Sequence, residues 1–235
     1  MTLSFYVHIP YCIKRCGYCD FNTYTPSELQ DGATLEIVSN DYIDAVLREL
    51  EAAPTDLVPT IFFGGGTPSL LPAHDLGRVI AAIKARNGLT ADCEITLEAN
   101  PGTFEKHRFK AFRTAGVTRL SIGVQSFNDA HLKALGRVHD RAQAIAAVEE
   151  AASAFDTFNL DLMYALPGQT LANLEEDLNT LLAFEPPHVS VYHLTIEPNT
   201  VFAKFPPQVP HDDDAYARLD RITERTALAD MQRYE

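Results

Sequence analysis

The apolar positions of this chain follow two periods in turn. Short apolar runs of strand length alternate with stretches in which apolar residues recur every three or four positions, the spacing of one helical face. Six strands that each precede a helix predict a mainly parallel sheet with the helices outside. The predicted strands are Leu3–Ile9, Thr60–Phe63, Cys93–Ala99, Arg119–Val124, Phe158–Tyr164 and His188–Ile196. The predicted helices are residues 43–50, residues 76–87, Thr103–Ala115, a stretch from Asn128 that is capped again at Asp140, residues 171–182 and, after a linker at Phe205–Asp214, Ala215–Gln232.

A doubly wound sheet and a partial barrel both satisfy this order, and both bind ligands at the carboxyl ends of their strands. Polar residues collect at that edge. Glu98 and Asn100 end the third strand, Gln125 and Ser126 end the fourth, and Asp161 lies inside the fifth. A carboxylate within a buried strand is costly unless it is paired or holds a ligand. The sequence therefore predicts one polar site at this edge of the sheet.

The bulk composition is that of a globular domain. A length of 235 residues, with 46% hydrophobic and 22% charged residues, suits one domain with a buried core. The net charge of −13 makes nucleic acid an unexpected partner. The first nine residues lack the features of a signal peptide, and no apolar run approaches the roughly 20 residues of a membrane span. Four cysteines without an even framework favour the reducing cytoplasm.

Three of those cysteines lie within eight residues, at Cys12, Cys16 and Cys19. Three thiolates are one fewer than closes a four-iron cluster or a tetrahedral zinc site, and an incomplete site leaves a metal position open. Zinc with His8 as a fourth ligand is the simplest alternative, whereas a disulfide would leave one thiol unpaired. Cys93 stands apart from this group, and we expect it to be a buried free cysteine.

A second motif gives the cysteines a context. The strand Thr60–Phe63 runs into Gly64-Gly65-Gly66-Thr67-Pro68-Ser69, and the two motifs in this order resemble the radical S-adenosylmethionine (SAM) proteins. The resemblance implies a partial (β/α)6 barrel in which the three cysteines hold a [4Fe-4S] cluster and SAM chelates the fourth iron. In that family an electron donor such as flavodoxin or ferredoxin reduces the cluster, and SAM is cleaved to a 5′-deoxyadenosyl radical.

The same resemblance implies SAM contacts at particular residues and no separate catalytic residue. The glycine turn would approach the methionyl end, with backbone N–H groups free to bind its carboxylate. Ordinary alternatives are a tight turn for the glycines, a structural ion pair for the carboxylates, core packing for the first tyrosine and a solvated charge for the arginine. The implied SAM contacts are Tyr6, Tyr18 (against the adenine), Gly65, Gly66, Thr67, Glu98, Gln125 (at the ribose), Arg137 and Asp161.

The histidines form no constellation in the sequence. His8 is either a donor near the cluster sulfurs or a satisfied core histidine. His193 and Tyr192, on the last strand, are candidates to face a substrate. We expect the remaining histidines at the surface, namely His74, His107, His131, His139, His188 and His211.

Further motifs resemble one group of radical SAM proteins, the oxygen-independent coproporphyrinogen III oxidases, which include the heme chaperone branch (HemW). These motifs are residues 6–12, residues 121–127 and residues 161–167. The dehydrogenase has an additional cysteine two residues after the third, where this chain has Phe21, and Cys-x-Phe resembles the chaperone branch. Residues 195–200 also resemble that branch.

The chaperone branch implies heme or porphyrin as a further ligand and a heme-acceptor protein, not identified by the sequence, as partner. The alternatives are coproporphyrinogen III dehydrogenase, which oxidatively decarboxylates its substrate to protoporphyrinogen IX, and a radical SAM enzyme acting on another substrate such as RNA. Residues 1–235 resemble the radical SAM core domain alone, and we expect the family's C-terminal region to be absent from this chain.

Overall fold

A computed structural model describes residues 2–28, 35–102 and 108–235, without the side chains of residues 35–39. Six parallel strands form one sheet in the order in which they occur along the chain. This order has no reversal point, which a doubly wound sheet requires, so it selects the partial barrel. The strands are β1 (Phe5–Ile9), β2 (Val58–Gly65), β3 (Leu89–Ala99), β4 (Arg119–Gln125), β5 (Phe158–Tyr164) and β6 (His188–His193).

Helices follow the strands and cover the outside of the sheet, which confirms the predicted α/β architecture. None of the described helices is both long and apolar enough to cross a membrane. Among the described residues the α-helices are α1 (Leu35–Leu50), α2 (Ala73–Asn87), α3 (Phe109–Ala115), α4 (Asp129–Leu135), α5 (Arg141–Ala154), α6 (Leu171–Leu182), α7 (Val201–Lys204) and α8 (Asp212–Leu228).

Several predicted boundaries were wrong by a few residues. β1 begins at Phe5 rather than Leu3, and β6 ends at His193 rather than Ile196. The last helix, Asp212–Leu228, begins inside the predicted linker. Its first turn consists of aspartates, which the positive end of the helix dipole favours. Residues 103–107 of the predicted third helix lie outside the described residues.

The two faces of the sheet differ in polarity. In β1, Val7 and Ile9 are buried against the outer helices, whereas Tyr6 is 59% exposed on the opposite face. That opposite face also carries the carboxylates Glu98 and Asp161. The hydrophobic core therefore lies between the sheet and its helices, and the inner face of the barrel is left for polar groups.

Two histidines contradict the predicted surface location, because His131 and His139 are each only 5% exposed. His139 Nε2 lies 3.2 Å from the carbonyl oxygen of Val124, and burial lowers the pKa of its imidazole to about 3. His188 is half-buried and lies within hydrogen-bonding distance of Asn159 and Tyr234. His131, His139 and His188 are therefore packed within the protein rather than exposed at its surface. His107 lies outside the described residues, and Cys93 is half-buried rather than buried.

Candidate cofactor site

A cavity of about 390 Å³ opens at the carboxyl ends of the strands. Its lining brings together residues from loops that are far apart in the sequence, as the parallel topology requires. Tyr6 does not line it: its ring stacks on Phe62, with 6.1 Å between centroids. The predicted residues that line the cavity are Cys12, Cys16, Tyr18, Cys19, Gly65, Gly66, Thr67, Glu98, Gln125, Arg137 and Asp161.

The cysteine loop is held in place by its backbone. Cys12 N donates to Tyr24 O at 3.0 Å, and Phe202 N donates to Gly17 O at 2.9 Å. A Cβ atom at Gly17 would lie 2.5 Å from the Phe202 ring, so only glycine lets this loop dock on α7. Gly17 N also donates to Leu135 O at 3.4 Å, at the end of α4. The loop is therefore positioned by elements from the second half of the chain.

The three thiols do not converge as ligands of a single ion. Across residues 2–28, 35–102 and 108–235, no three His, Cys, Asp or Glu side chains are grouped around a position for one metal. His8, the fourth ligand of the zinc alternative, is engaged elsewhere, since its Nε2 lies 2.9 Å from Asn22 O. In a four-iron cluster each thiolate binds a different iron, so separated sulfurs on one loop suit a cluster.

Burial and hydrogen bonds act in opposite directions on these sulfurs. Burial raises the pKa of the Cys12 thiol, and a hydrogen bond from Thr67 Oγ1, 3.7 Å from Cys12 Sγ, works against that rise. Burial also raises the pKa of the Cys19 thiol. Because a bound metal deprotonates its thiol ligands, a cluster held by these cysteines would overcome this rise in pKa.

The glycine turn packs directly on the cysteine loop. Gly65 has a φ of 112°, in the region that favours glycine. A Cβ atom at Gly66 would lie 2.5 Å from Tyr11 O and 3.0 Å from Cys12 Sγ. The tight turn that the sequence left as an alternative is therefore present, and it brings the end of β2 against the cysteine loop.

The backbone N–H groups of this turn already have acceptors within the protein. Gly65 N donates to Glu98 Oε2 at 3.1 Å, Gly66 N to Ile9 O at 2.7 Å and Thr67 N to Tyr11 O at 2.7 Å. These three N–H groups are therefore engaged within the protein.

Glu98 and Asp161 face the cavity, where the nearby charge of Arg137 favours the ionised form of Asp161. Among the described residues, neither carboxylate lies within ion-pair distance of a basic side chain. Asp161 accepts from Asn159 Nδ2 at 2.7 Å and from Ser121 Oγ at 3.4 Å. Burial raises the pKa of Glu98 to about 7, with a further rise from the charge of Asp161, and burial raises the pKa of Asp161 to about 6. Two such carboxyls suit a ligand with an ammonium group or hydroxyls.

Arg137 brings a positive charge to the inner wall of the site. Gly136, with a φ of 79°, ends α4, and Arg137 follows it directly. The guanidinium turns inward, where Nη2 donates to Gly123 O at 2.7 Å and Nη1 to Cys16 Sγ at 3.6 Å. The solvated surface charge that the sequence alone favoured is therefore wrong. Gln125, with a φ of 65°, lies on the adjacent wall of the cavity.

Asn100 and Gly123 make contacts in the cavity that the sequence analysis did not predict. Asn100 directly follows β3 and donates through Nδ2 to Thr67 Oγ1 at 2.9 Å. Gly123 lies within β4, and a Cβ atom there would be 3.0 Å from both Asn100 Oδ1 and Gln125 Nε2. A glycine inside a strand often marks a site where other groups approach the backbone closely. Gly123 could therefore have indicated this contact from the sequence.

Comparison with known proteins identifies relatives of this chain. Residues 6–181 match the model of the Radical SAM superfamily. The chain is 43% identical to the heme chaperone HemW of Haemophilus influenzae and 43% identical to that of Escherichia coli, over 99% of this chain and 61% of each relative. The chain thus spans about three fifths of the length of these relatives.

A solved structure shares the fold. Coproporphyrinogen III oxidase (HemN) from Escherichia coli, a radical SAM enzyme, superimposes with a TM-score of 0.84 at 26% identity, over 96% of this chain and 52% of that one. The family implies a [4Fe-4S] cluster and SAM, and the donor set fits them: three thiols on one loop beside a glycine turn, with unpaired carboxyls opposite. The architecture and the family match together show that this chain belongs to the Radical SAM superfamily.

Proposed function

We propose that this chain is the radical SAM core of a heme chaperone, which binds heme at the mouth of its cavity and passes it to an acceptor protein. The observation that carries the proposal is Phe21. Its side chain lines the cavity and is 55% exposed, at the position where the dehydrogenase has a further cysteine. The 43% identity to the HemW relatives supports the same choice.

The mouth of the cavity has the character that a porphyrin needs. Phe21, Ile13, Val138 and Tyr192 all line it, with exposures of 55%, 44%, 50% and 52%. Exposed apolar side chains gathered at a cavity mark a binding surface rather than a core. They offer flat apolar contact to a macrocycle, while the polar floor is left for SAM.

The floor of the cavity holds the cofactors in this proposal. Cys12, Cys16 and Cys19 bind the cluster, and when bound, the cluster and SAM supply one-electron chemistry. Glu98 and Asp161 receive the amine and hydroxyl groups of SAM. The remaining predicted contacts orient SAM and exclude water: Tyr18, Gly65, Gly66, Thr67, Gln125, Arg137 and, from beside the cavity, Tyr6.

Coproporphyrinogen III dehydrogenase is the second candidate. The TM-score of 0.84 to HemN favours it, because the barrel that performs that reaction is closely matched here. The reaction would use the same cluster and SAM site with a porphyrinogen at the mouth, supported by an electron donor. Heme transfer and porphyrinogen oxidation therefore differ in turnover rather than in the cofactor site.

One experiment separates the two candidates. The protein is reconstituted anaerobically with iron and sulfide, and its heme binding is followed by absorbance. SAM, reductant and coproporphyrinogen III are then supplied, and protoporphyrinogen IX is quantified by mass spectrometry. We expect stoichiometric heme binding and no product. Multiple turnovers would establish the dehydrogenase instead. The absence of both heme binding and product would refute both candidates.

A variant tests the mouth directly. Phe21→Ala removes the aromatic contact, and we expect heme affinity to fall about tenfold, the effect of losing 1–2 kcal/mol of buried aromatic contact. Phe205→Ala is the matched control, because Phe205 is 67% exposed and does not line the cavity. Equal affinities of the two variants would rule out binding at this mouth.

A further inference from the structure

A chain of hydrogen bonds crosses the cavity and joins two of the three cluster cysteines. Arg137 donates through Nη2 to Asn100 Oδ1, Asn100 Nδ2 donates to Thr67 Oγ1 at 2.9 Å, and Thr67 Oγ1 donates to Cys12 Sγ at 3.7 Å. The other end of the same guanidinium donates through Nη1 to Cys16 Sγ at 3.6 Å. Asn100 therefore lies at the centre of the chain, where its Oδ1 accepts one hydrogen bond and its Nδ2 donates another.

The direction of these bonds is uniform. Each N–H or O–H in the sequence Arg137, Asn100, Thr67 points toward Cys12, so each bond polarises the next one in the same sense. The guanidinium of Arg137 thereby polarises the hydrogen bond that Cys12 Sγ accepts, although it does not contact that sulfur. An amide is suited to this central place, since it accepts at one end and donates at the other.

The surroundings leave Asn100 little freedom. It follows β3 at Ala99 and precedes Pro101, which restricts the Asn100 backbone. A Cβ atom at Gly123 would lie 3.0 Å from Asn100 Oδ1 and 3.1 Å from Arg137 Nη2. The absence of a side chain at position 123 is what admits the bridge between β3 and the residue after α4.

We propose that Asn100 is a positioning residue for the iron–sulfur site, which ties Cys12 to Cys16 and raises the reduction potential of the cluster through Thr67. Reduction adds a negative charge to the cluster and its thiolates. Hydrogen bonds donated to the sulfurs stabilise that charge and favour the reduced form. Removing the donor chain makes the same cluster harder to reduce.

The test is the reduction potential of the reconstituted protein, measured by redox titration with electron paramagnetic resonance. We expect Asn100→Ala to lower the ratio of reduced to oxidised cluster at a fixed potential about tenfold, the effect of one net hydrogen bond. For a one-electron couple this is a shift of about 59 mV to more negative potential. The readout is independent of any catalytic turnover.

A double-mutant cycle tests the route. Thr67→Val removes the hydroxyl that donates to Cys12 and keeps the shape of the side chain. If Asn100 acts through Thr67, the Asn100→Ala/Thr67→Val protein shifts no further than Thr67→Val alone. Additive shifts would overturn the bridge, because they would mean that the two residues act independently.

Asn87→Ala is the matched control. Asn87 also donates through Nδ2, to Pro54 O at 2.8 Å and to Asp56 O at 3.0 Å, away from the cavity. We expect this variant to lose stability and to keep the potential of the unmodified protein. An equal shift in the control would show that a general loss of stability moves the potential, and the proposal would fail.

The remaining outcomes also decide the question. Asn100→Ala with a full complement of iron and an unchanged potential overturns the proposal. If that variant takes up no iron, Asn100→Asp, which has the same size and lacks the amide donor, replaces it with the same expected decrease. An Asp variant that is unfolded by circular dichroism would place Asn100 in folding rather than in positioning, and would equally overturn the proposal.

Discussion

At the scale of single residues, the site is defined by polar groups held where burial disfavours their charge. Glu98 shows this most clearly. Burial raises the pKa of its carboxyl to about 7, and among the described residues it has no cation beside it to reverse that rise. Such a group is unfavourable for the empty protein and favourable for binding a positively charged ligand.

The stability of the protein should record this titration. Between the pKa of an unfolded glutamate, about 4.3, and the folded value of about 7, the folded state holds a proton that the unfolded state has lost. The free energy of unfolding therefore decreases as the pH rises through this window and levels off above it. Glu98→Gln removes the titration. We expect the variant to gain about 2 kcal/mol relative to the unmodified protein between about pH 5 and pH 8.

Urea denaturation of the cluster-free protein at a series of pH values measures this difference. Glu149→Gln, an exposed change on α5, is the control and should show no comparable gain. A difference between Glu98→Gln and the unmodified protein that stays constant with pH would show that Glu98 does not titrate in this window.

The backbone at Gly66 packs closely against the cysteine loop. A Cβ atom there would overlap Tyr11 O, at 2.5 Å, and press on Cys12 Sγ, at 3.0 Å. We expect Gly66→Ala to destabilise the protein by about 1–3 kcal/mol and to reduce iron uptake severalfold, because the cysteine loop must move away. Gly102→Ala is the matched control, since no atom of the described residues lies within 4 Å of its Cβ position. Equal iron uptake in the two variants would contradict the packing argument.

At the scale of elements, α6 holds the turn that follows β4. Asp177, in the middle of α6, is 1% exposed and accepts from Ser126 Oγ at 2.7 Å and from Phe127 N at 2.6 Å. Burial raises the pKa of this carboxyl to about 6, and these two donors oppose the rise. The bonds secure the turn beside Gln125, whose φ of 65° aims it at the cavity.

Asp177→Ala should therefore loosen this wall of the cavity. The change leaves a buried N–H and a buried hydroxyl without their acceptor, and we expect a loss of about 3 kcal/mol of stability. Glu176→Ala, the exposed neighbour on α6, should change stability by less than about 0.5 kcal/mol. Thermal denaturation followed by circular dichroism measures both, and similar melting temperatures would refute the role of Asp177.

The elements themselves were largely predictable, and their ends were less so. Hydrophobic periodicity depends on burial of one face, so it located all six strands. It does not indicate how far the hydrogen bonds between strands extend. The predicted end of β6, Ile196, therefore lies three residues beyond the observed end at His193. Short α7, from Val201 to Lys204, is too brief for a periodic signal and went unpredicted. It nevertheless supplies Phe202, against which the cysteine loop docks.

At the scale of the whole molecule, the two cofactors that the family implies should bind in a fixed order. SAM completes the coordination of the cluster in this family, so its binding should require the cluster. We expect SAM at about 100 times its Kd to stabilise the cluster-loaded protein by about 2.7 kcal/mol, which raises the Tm by about 5–10 °C. Cluster-free protein should show a much smaller rise. An equal rise in both forms, measured anaerobically, would mean that SAM binds without contacting the iron.

The sequence by itself determined the order of the elements and the family, and it predicted the cluster ligands, because these rest on local patterns: the periodicity, the Cys12–Cys19 loop and the glycine turn. Tertiary structure alone decided how the polar groups are used. It placed the Arg137 guanidinium inside the cavity and gave the N–H groups of the glycine turn acceptors within the protein. It also placed no cation within ion-pair distance of Glu98 among the described residues. Burial and hydrogen-bond partners come from residues distant in the sequence, so no local pattern contains them.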